Sequence, residues 1–206
     1  GGASGLFACC QLIDNAKNSD EKIEITILEK MSELGKKLTL TGHGRCNITN
    51  RKDISDFKPG MNEAANFMHP SLKAFGPENT VEFFEKVLKM ELKEEDNNRM
   101  FPVCDSAVKV RDNLVSFIEN SDVSVKIHTN SEVVDINKHM DFEVFTKDMV
   151  YHFDILILAC GGASFPQTGS TGDSYKFAEK LGHNVTPIRA GLAGIKVSKK
   201  DREFTS

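Results

Sequence analysis

The sequence lacks an excess of basic residues, and it lacks any long hydrophobic run. Lysine and arginine total 26 against 30 aspartates and glutamates, which gives a formal net charge of −4. A chain without a positive field is poorly suited to holding phosphate backbones, so the composition argues against general nucleic-acid binding. The longest apolar run, residues 155–160, is far too short to cross a bilayer. We therefore expect a small-molecule substrate, with no nucleic-acid partner and no membrane partner.

Paired cysteines are also missing from the sequence. The five cysteines are odd in number and form no C-x-x-C pair, which favours a reducing compartment over a disulfide framework. No Cys and His pairs stand at the spacing of a zinc finger, so we expect no metal site. On these grounds we expect a cytoplasmic protein.

The length of 206 residues suits one domain, or one domain with part of a second. Hydrophobic residues make up 39% of the chain and charged residues 27%, which excludes a wholly disordered chain. The first residue is Gly rather than Met, and the sequence opens inside a glycine-rich turn. We therefore expect a piece of a longer protein, truncated at both ends.

The hydrophobic pattern of the first thirty residues predicts most of a β-α-β unit. Residues 6–16 are predicted as a mostly buried helix. Residues 23–29 are short and β-branched, with isoleucine at every second position, which indicates a strand. A glycine turn, a helix and a strand in this order complete a β-α-β unit except for its first strand.

The rest of the chain is predicted as further helices and strands in an α/β order. The predicted helices cover residues 80–90 (with Thr80 as N-cap), 106–119 and 174–181, and the predicted strands cover residues 123–128, 132–137, 142–146, 150–153 and 155–159. The middle strands alternate in polarity and indicate an antiparallel meander, whereas the apolar run 155–159 suits a strand buried on both faces. The pattern also predicts a short helix and a long loop over 31–50, an irregular stretch over 51–77, and a solvated turn at the charged run 93–98.

The glycine turn before the first helix is a candidate phosphate-binding site. In residues 1–5, GGASG, Gly2 and Gly5 occupy the second and third glycine positions of G-x-G-x-x-G. Gly2 would let the backbone approach a pyrophosphate, Gly5 would let the helix pack on its strand, and the helix N-terminus would attract the anion. Alone, such a match is weak, but Glu29 ends the next strand, where an acid can accept hydrogen bonds from an adenosine ribose.

Two further segments combine glycine with short polar side chains. Residues 35–50 suit close backbone contact with a phosphate or a ring, and Arg45 could pair with a phosphate or with a substrate carboxylate. Residues 159–162 follow a predicted strand, and residues 169–173 open a helix at Asp173. An ordinary surface loop and a simple helix cap remain the plainer explanations of these two segments.

Together these segments resemble the BaiN/YhiN-like family of FAD-dependent oxidoreductases, which are two-dinucleotide-binding-domain flavoproteins. The resembling segments are GGASG (1–5), ILEK (27–30), GKKLTLTGHGRCNITN (35–50), RMFPVCDSAVKV (99–110) and ILACGGASFPQTGSTGDSYKFAEKLGH (157–183). They follow the family order over nearly the whole chain. The sequence departs from the family pattern at His43, Cys160 and Ser174, and in residues 189–194.

The resemblance implies a Rossmann-like FAD-binding α/β domain over residues 1–188. Its parallel sheet would be interrupted by a helical segment at about 56–120 and by a β-meander at about 132–153, and residues 189–206 would begin a truncated substrate domain. The resemblance implies FAD as cofactor and NAD(P)H as electron donor, with the loop 168–173 approaching the flavin side. The expected cofactor-binding residues are Gly2, Ala3, Ser4, Gly5, Glu29, Lys30, Lys37, Gly42, Gly44, Arg45, Cys46, Asn47, Ala159, Gly161, Gly162, Thr171, Gly172 and Asp173.

The sequence assigns no catalytic residue and does not decide whether the chain is catalytically active. Cys46 could be a redox thiol or a small packing residue, and His43 could be an acid or base near the flavin or only a loop residue. The leading interpretation is an FAD-dependent oxidoreductase that passes hydride from a reduced nicotinamide to an organic substrate, with C=C reduction as one option. A non-catalytic nucleotide-binding module is the alternative, and an NAD-only dehydrogenase would leave residues 42–50 unexplained.

Overall fold

A computed structural model of the protein describes residues 1–17, 19, 22–61 and 64–189. The helices are α1 (Ala3–Ala16), α2 (Ile54–Met61), α3 (Ala65–Ala74), α4 (Pro77–Glu82), α5 (Ala107–Glu119) and α6 (Asp173–Lys180). The strands are β1 (Glu24–Leu28), β2 (Thr49–Asn50), β3 (Leu92–Glu95), β4 (Arg99–Pro102), β5 (Ser124–His128), β6 (Val133–Lys138), β7 (Phe142–Thr146) and β8 (Val150–Phe153). The predicted α/β class is confirmed, with a helical insertion and an antiparallel meander inside it.

The main core forms where α1 and α5 pack together beside the parallel pair β1–β5. Glu24 lies opposite Ser124, and the register continues to the strand ends. Leu6, Cys10 and Ile13 recur along one side of α1 at helical spacing, and all three are fully buried. They pack against the apolar side of α5, so the predicted helices and strands of this unit are confirmed to within three residues.

A second, smaller core lies under the meander β6–β7–β8. The three strands pair antiparallel in chain order, as predicted. Ile136 and Val144 point inward from β6 and β7 and meet Phe177 of α6. Gly182 ends this helix with a φ of +89°, which confirms the predicted glycine just beyond the helix.

A small antiparallel sheet, ordered β2–β4–β3, was not expected from the sequence. The prediction of a solvated turn over 93–98 is wrong for its first half, which belongs to β3, and holds for the tight turn Asp96–Asn98. Charged side chains read as a loop in a local pattern, but an exposed edge strand carries them equally well. Residues 42–47 pack against this sheet.

The prediction of an irregular stretch over 51–77 is also wrong, because α2 and α3 lie there and each contains a proline. None of the described residues of these two helices is buried. A proline frees the carbonyl four residues earlier, and water can satisfy that group in an exposed helix. The next helix, α4, begins after Gly76 rather than at Thr80, whose hydroxyl donates to the Gly76 carbonyl from inside the first turn.

The predicted buried strand over 155–159 is wrong as well. This segment pairs with no strand among the described residues, and Ile155 is 80% exposed. Leu156 and Leu158 pack onto the meander core, so only alternate side chains are covered. An apolar run indicates a tendency to be buried, but it does not provide a hydrogen-bonding partner for the backbone.

The boundary predicted at residue 189 stays a prediction, because residues 190–206 lie outside the described part of the chain. In the part that is described, no helix combines the length and the apolar character that a bilayer span requires.

Candidate functional site

The N-terminus of α1 has no side-chain cap among the described residues. Gly2 stands at the N-cap position, with φ −80° and ψ −174°, but it has no side chain that could accept a hydrogen bond from the first turn. The first turn of the helix contains no acidic residue. The first N–H groups of a helix have no partner within the helix and carry its positive dipole end. A Cβ placed on Gly2 would meet no protein atom within 4 Å, so the space in front of the turn is open. Gly5 packs on Ala159, as its Cβ would lie 3.4 Å away.

Gly1 is a residue of this site that the motif did not single out. A Cβ on Gly1 would lie 2.6 Å from Glu29 Oε2, 2.6 Å from Leu34 Cδ2 and 2.9 Å from Glu29 Cβ, so a larger residue there would have to displace both side chains. The Gly35 amide donates to the Gly1 carbonyl at 2.8 Å. The glycine turn therefore lies against the end of β1, which the sequence spacing could not reveal.

Glu29 is held in a fixed position at the end of β1. Its Oε1 accepts a hydrogen bond from the Met31 amide at 2.8 Å, and its Oε2 lies 3.3 Å from the Gly1 nitrogen. The side chain is 15% exposed. A carboxylate has about four acceptor positions, so these contacts leave free lone pairs for the two hydroxyls of a ribose.

Residues 163–172, called the strap here, run beside this strand end. The Gly172 amide donates to the Gly162 carbonyl at 3.1 Å, and the Ser174 hydroxyl donates to the Gly161 carbonyl. The sequence suggested residues 159–162 and 169–173 as separate glycine segments, but these hydrogen bonds join them. Thr168 and Ser170 are its buried polar residues.

Two lysines from the segment after β1 hold the strap. Lys30 Nζ donates to Thr171 Oγ1 and to Asp173 Oδ2, each at 2.6 Å. Lys37 Nζ donates to the Ser164 carbonyl at 2.7 Å. The hydrogen bond from Lys30 lowers the pKa of the Asp173 carboxyl below its usual range. The structure therefore brings Lys30, Thr171 and Asp173 together. Lys37 holds the other end of the strap, and the strap packs on Lys30 and Met31, which follow Glu29.

Residues 42–47 form a turn that the protein itself fills. Gly42, His43, Gly44 and Cys46 all have left-handed φ angles. A Cβ on Gly42 would lie 2.8 Å from the Asn47 amide nitrogen and 3.2 Å from the Phe101 ring. The Cys46 amide closes the turn by donating to the Thr41 carbonyl at 3.0 Å. His43 and Asn47 are exposed on the outside of this turn.

Arg45 is surrounded by charged partners from the small sheet. Its Nε donates to Asp105 Oδ1 at 2.8 Å, its Nη2 pairs with Glu95, and its guanidinium lies 4.3 Å from the centroid of Phe101. Lys93 also pairs with Asp105. Arg45 lowers the pKa of the Glu95 carboxyl, and Lys93 and Arg45 together lower that of Asp105. The cation that was expected to meet a cofactor is thus already neutralised by protein carboxylates.

The five thiols are free, and three of them are buried. Burial raises the pKa of Cys9 to about 11 and that of Cys10 to about 12, and it also raises the pKa of Cys46. Desolvation by neighbouring atoms raises the pKa of Cys160. A thiolate is the reactive form, so Cys46 has the surroundings of a packing residue. The described residues contain no cluster of His, Cys, Asp and Glu that could hold a metal ion.

Comparison with known proteins places the chain among proteins of this fold. A 3-dehydro-bile acid delta(4,6)-reductase of Clostridium scindens is 32% identical over 199 residues, which cover 97% of this chain and 46% of that protein. A ribosomal RNA dihydrouridine synthase of Escherichia coli is 30% identical over 204 residues (96% and 47%), and one of Haemophilus influenzae is 26% identical over 213 residues (100% and 49%). The chain spans about half the length of the curated relatives it matches.

The resemblance found in the motifs is confirmed by a family match over nearly the whole sequence. The family described as HI0933-like protein Rossmann domain matches residues 1–204. This range includes the glycine turn, Glu29, residues 42–47 and the strap. The chain therefore belongs to the HI0933-like Rossmann domain family.

Proposed function

We propose that this chain is the cofactor-holding part of an FAD-dependent oxidoreductase. The observation that carries the proposal is the uncapped N-terminus of α1 opening next to Glu29, whose carboxylate is fixed by the Met31 amide. The helix end suits the pyrophosphate of a dinucleotide, and the fixed acid suits its ribose. The open space in front of Gly2 fits a cofactor that approaches the backbone closely.

The residues of the chain would bind and orient the cofactor rather than react with it. The amides of Ala3, Ser4 and Gly5 would hold the pyrophosphate, and Glu29 would accept from the ribose hydroxyls. Bound flavin supplies hydride transfer, and NAD(P)H is the proposed electron donor. The turn Gly161–Gly162 would pass near the cofactor because Ala159 packs on Gly5.

The relatives' names favour reduction of a carbon–carbon double bond. One relative is a delta(4,6)-reductase of a dehydro-bile acid, and the other two make dihydrouridine in ribosomal RNA. Dihydrouridine carries two more hydrogens than uridine, so both names describe hydrogenation of a double bond. We propose the same reaction class for this protein.

The substrate class separates two candidates. The net charge of −4 favours a small organic substrate with an activated double bond. The names of two relatives favour uridine in RNA instead. Anaerobic reoxidation of the reduced protein, followed once with a conjugated enone and once with a uridine-containing RNA, distinguishes them.

The first experiment is a visible spectrum of the purified intact protein, followed by identification of the cofactor released by heat. We expect a flavin band and released FAD. A colourless protein that takes up no added FAD would overturn the oxidoreductase proposal and leave a nucleotide-binding module.

Two glutamates at opposite ends of β1, Glu24 at its start and Glu29 directly after its last residue, test the ribose assignment. Glu29→Gln should weaken FAD binding by about tenfold or more, because it removes a charged acceptor. Glu24→Gln, at the exposed start of β1, is the matched control and should leave affinity unchanged. Equal FAD affinity in the Glu29 variant and the wild type would remove Glu29 from the site.

A further inference from the structure

We propose that Lys30 and Asp173 form a latch that positions Glu29 for the cofactor, and that Lys30 acts as a positioning residue rather than as a cofactor ligand. The proposal rests on the proposed function, because the consequence of the latch is the retention of FAD.

The latch joins two segments that are far apart in the sequence. Lys30 directly follows Glu29, and Asp173 begins α6, 143 residues later. Thr171 completes the contact, since its hydroxyl donates to Asp173 Oδ2 at 2.7 Å and accepts from Lys30 Nζ at 2.6 Å. Two of the three N–H groups of the Lys30 ammonium therefore donate to the protein, to Thr171 and to Asp173.

The side chains of the latch are mostly shielded from water. Lys30 is 19% exposed and Asp173 is 25% exposed. Removing one member of a shielded ion pair leaves the other charge without its partner, which costs more than losing an exposed pair. By comparison, the ion pair of Lys180 and Asp135, at the other end of α6, is 42% and 47% exposed.

The strap transmits the position of the latch to Glu29 through Met31. A Cβ on Gly169 would lie 3.0 Å from Met31 Cγ and 3.4 Å from Lys30 Cε, so the strap packs directly on both residues. The Met31 amide in turn donates to Glu29 Oε1 at 2.8 Å. The Asn130 amide also holds the Met31 backbone by donating to its carbonyl at 2.9 Å. A strap that moved away would therefore uncover the Met31 side chain and leave this one backbone contact to hold the amide that fixes the carboxylate proposed to bind the ribose.

A double-mutant cycle on FAD binding tests the latch in the intact protein. Lys30→Met and Asp173→Asn should each raise the FAD dissociation constant by about tenfold, and the double variant should be no worse than either. Lys30→Arg should restore most of the affinity, because the cation returns. Lys180→Met is the matched control and should bind FAD like the wild type.

Two results would overturn the proposal. If Lys30 contacts the cofactor directly, Lys30→Met weakens binding while Asp173→Asn does not, and the two changes add. If the ion pair of Lys30 and Asp173 is only a surface contact, the FAD dissociation constants of both variants equal that of Lys180→Met.

Hydrogen exchange of the strap in flavin-free protein separates failure of the latch from failure of the proposed function. Amides of residues 163–172 should exchange faster in Lys30→Met and Asp173→Asn than in the wild type, and Lys180→Met should leave them unchanged. This readout needs no cofactor, so it decides the latch even if the wild type binds no FAD. Unchanged exchange in both latch variants would contradict the proposal.

Discussion

The two glycine-rich turns of this chain differ in what surrounds them. At residues 1–5 no described side chain caps the helix, and a Cβ added at Gly2 would meet no atom within 4 Å beyond its chain neighbours in the part of the chain that the structure describes. At residues 42–47 the backbone closes on itself and packs against Phe101, while Arg45 is paired with Glu95 and Asp105. The first turn leaves the helix end without a side-chain cap among the described residues, and the second turn is closed by its own backbone and paired side chains.

The comparison shows that a glycine motif has two possible meanings. Glycine is favoured at position 42 because φ is +56° and the Asn47 amide nitrogen lies only 2.8 Å from where a Cβ would stand. At position 2 the backbone has an ordinary φ of −80° and an open surrounding. The described residues therefore do not require glycine at position 2, whereas the fold requires it at position 42.

The largest expected effect is on folding stability, at Gly42. Gly42→Ala should destabilise the protein by about 2 to 4 kcal/mol, because a left-handed φ and the overlap with Asn47 add together. Gly44 has a φ of +83°, and a Cβ there would meet no described atom within 4 Å. Gly44→Ala should therefore lower the free energy of unfolding by only about 1 kcal/mol. Urea denaturation of the two variants measures both values, and equal losses would contradict a filled turn at Gly42.

The next effect, on cofactor affinity, compares Gly2 with Gly1. Gly2→Ala should leave the stability of the flavin-free protein nearly unchanged and weaken FAD binding by about tenfold, because the added methyl enters the cofactor's space. Gly1→Ala should lower both the stability of the flavin-free protein and the affinity for FAD, since its methyl overlaps Glu29 and Leu34. Titration of FAD fluorescence and thermal unfolding give the two readouts. A Gly2 variant that binds FAD normally would mean that the open turn holds no phosphate.

The sequence predicted the elements that have a clear pattern of their own. The helix α1 and the strand β1 show it although their partners, α5 and β5, lie about 100 residues away, and in the meander short turns also set which strands pair. The sequence predicts Glu29 as a ribose-binding residue because a strand end at a known distance from a glycine turn is a local signal. Gly1 was missed because its constraint is a contact with the Glu29 side chain, which spacing does not encode.

Long-range polar pairing accounts for most of what the sequence could not show. Arg45 and Lys30 were both expected at the cofactor because they lie in motif segments. Their partners in the structure come from 50 and 143 residues away in the chain. A cation in a glycine-rich loop has the same sequence pattern whether it meets a phosphate or a carboxylate of its own protein, so only the fold separates the two.

The smallest expected effect is electrostatic and concerns the filled turn. Arg45→Met removes the guanidinium between Glu95 and Asp105, and should lower stability slightly at pH 7, because these charges are partly exposed to water and screened. FAD affinity should be affected much less than by Gly2→Ala if Arg45 serves the turn alone. A large loss of FAD affinity without loss of stability would instead make Arg45 a cofactor ligand and remove the contrast between the two turns.

The pH dependence of this small effect has a definite sign. In the folded protein the pKa values of Glu95 and Asp105 lie below their ordinary values of 4.5 and 3.8. Their contribution is therefore complete above these values and is lost as the pH falls through the lower folded pKa values. The stability difference between wild type and Arg45→Met should stay constant from pH 7 to about pH 5 and shrink below about pH 4. Lys52→Met, which removes one surface cation near β2, is the control for net charge. If the stability difference between wild type and Arg45→Met stayed the same below about pH 4, Arg45 would stabilise the turn through its stacking on Phe101 rather than through its carboxylate partners.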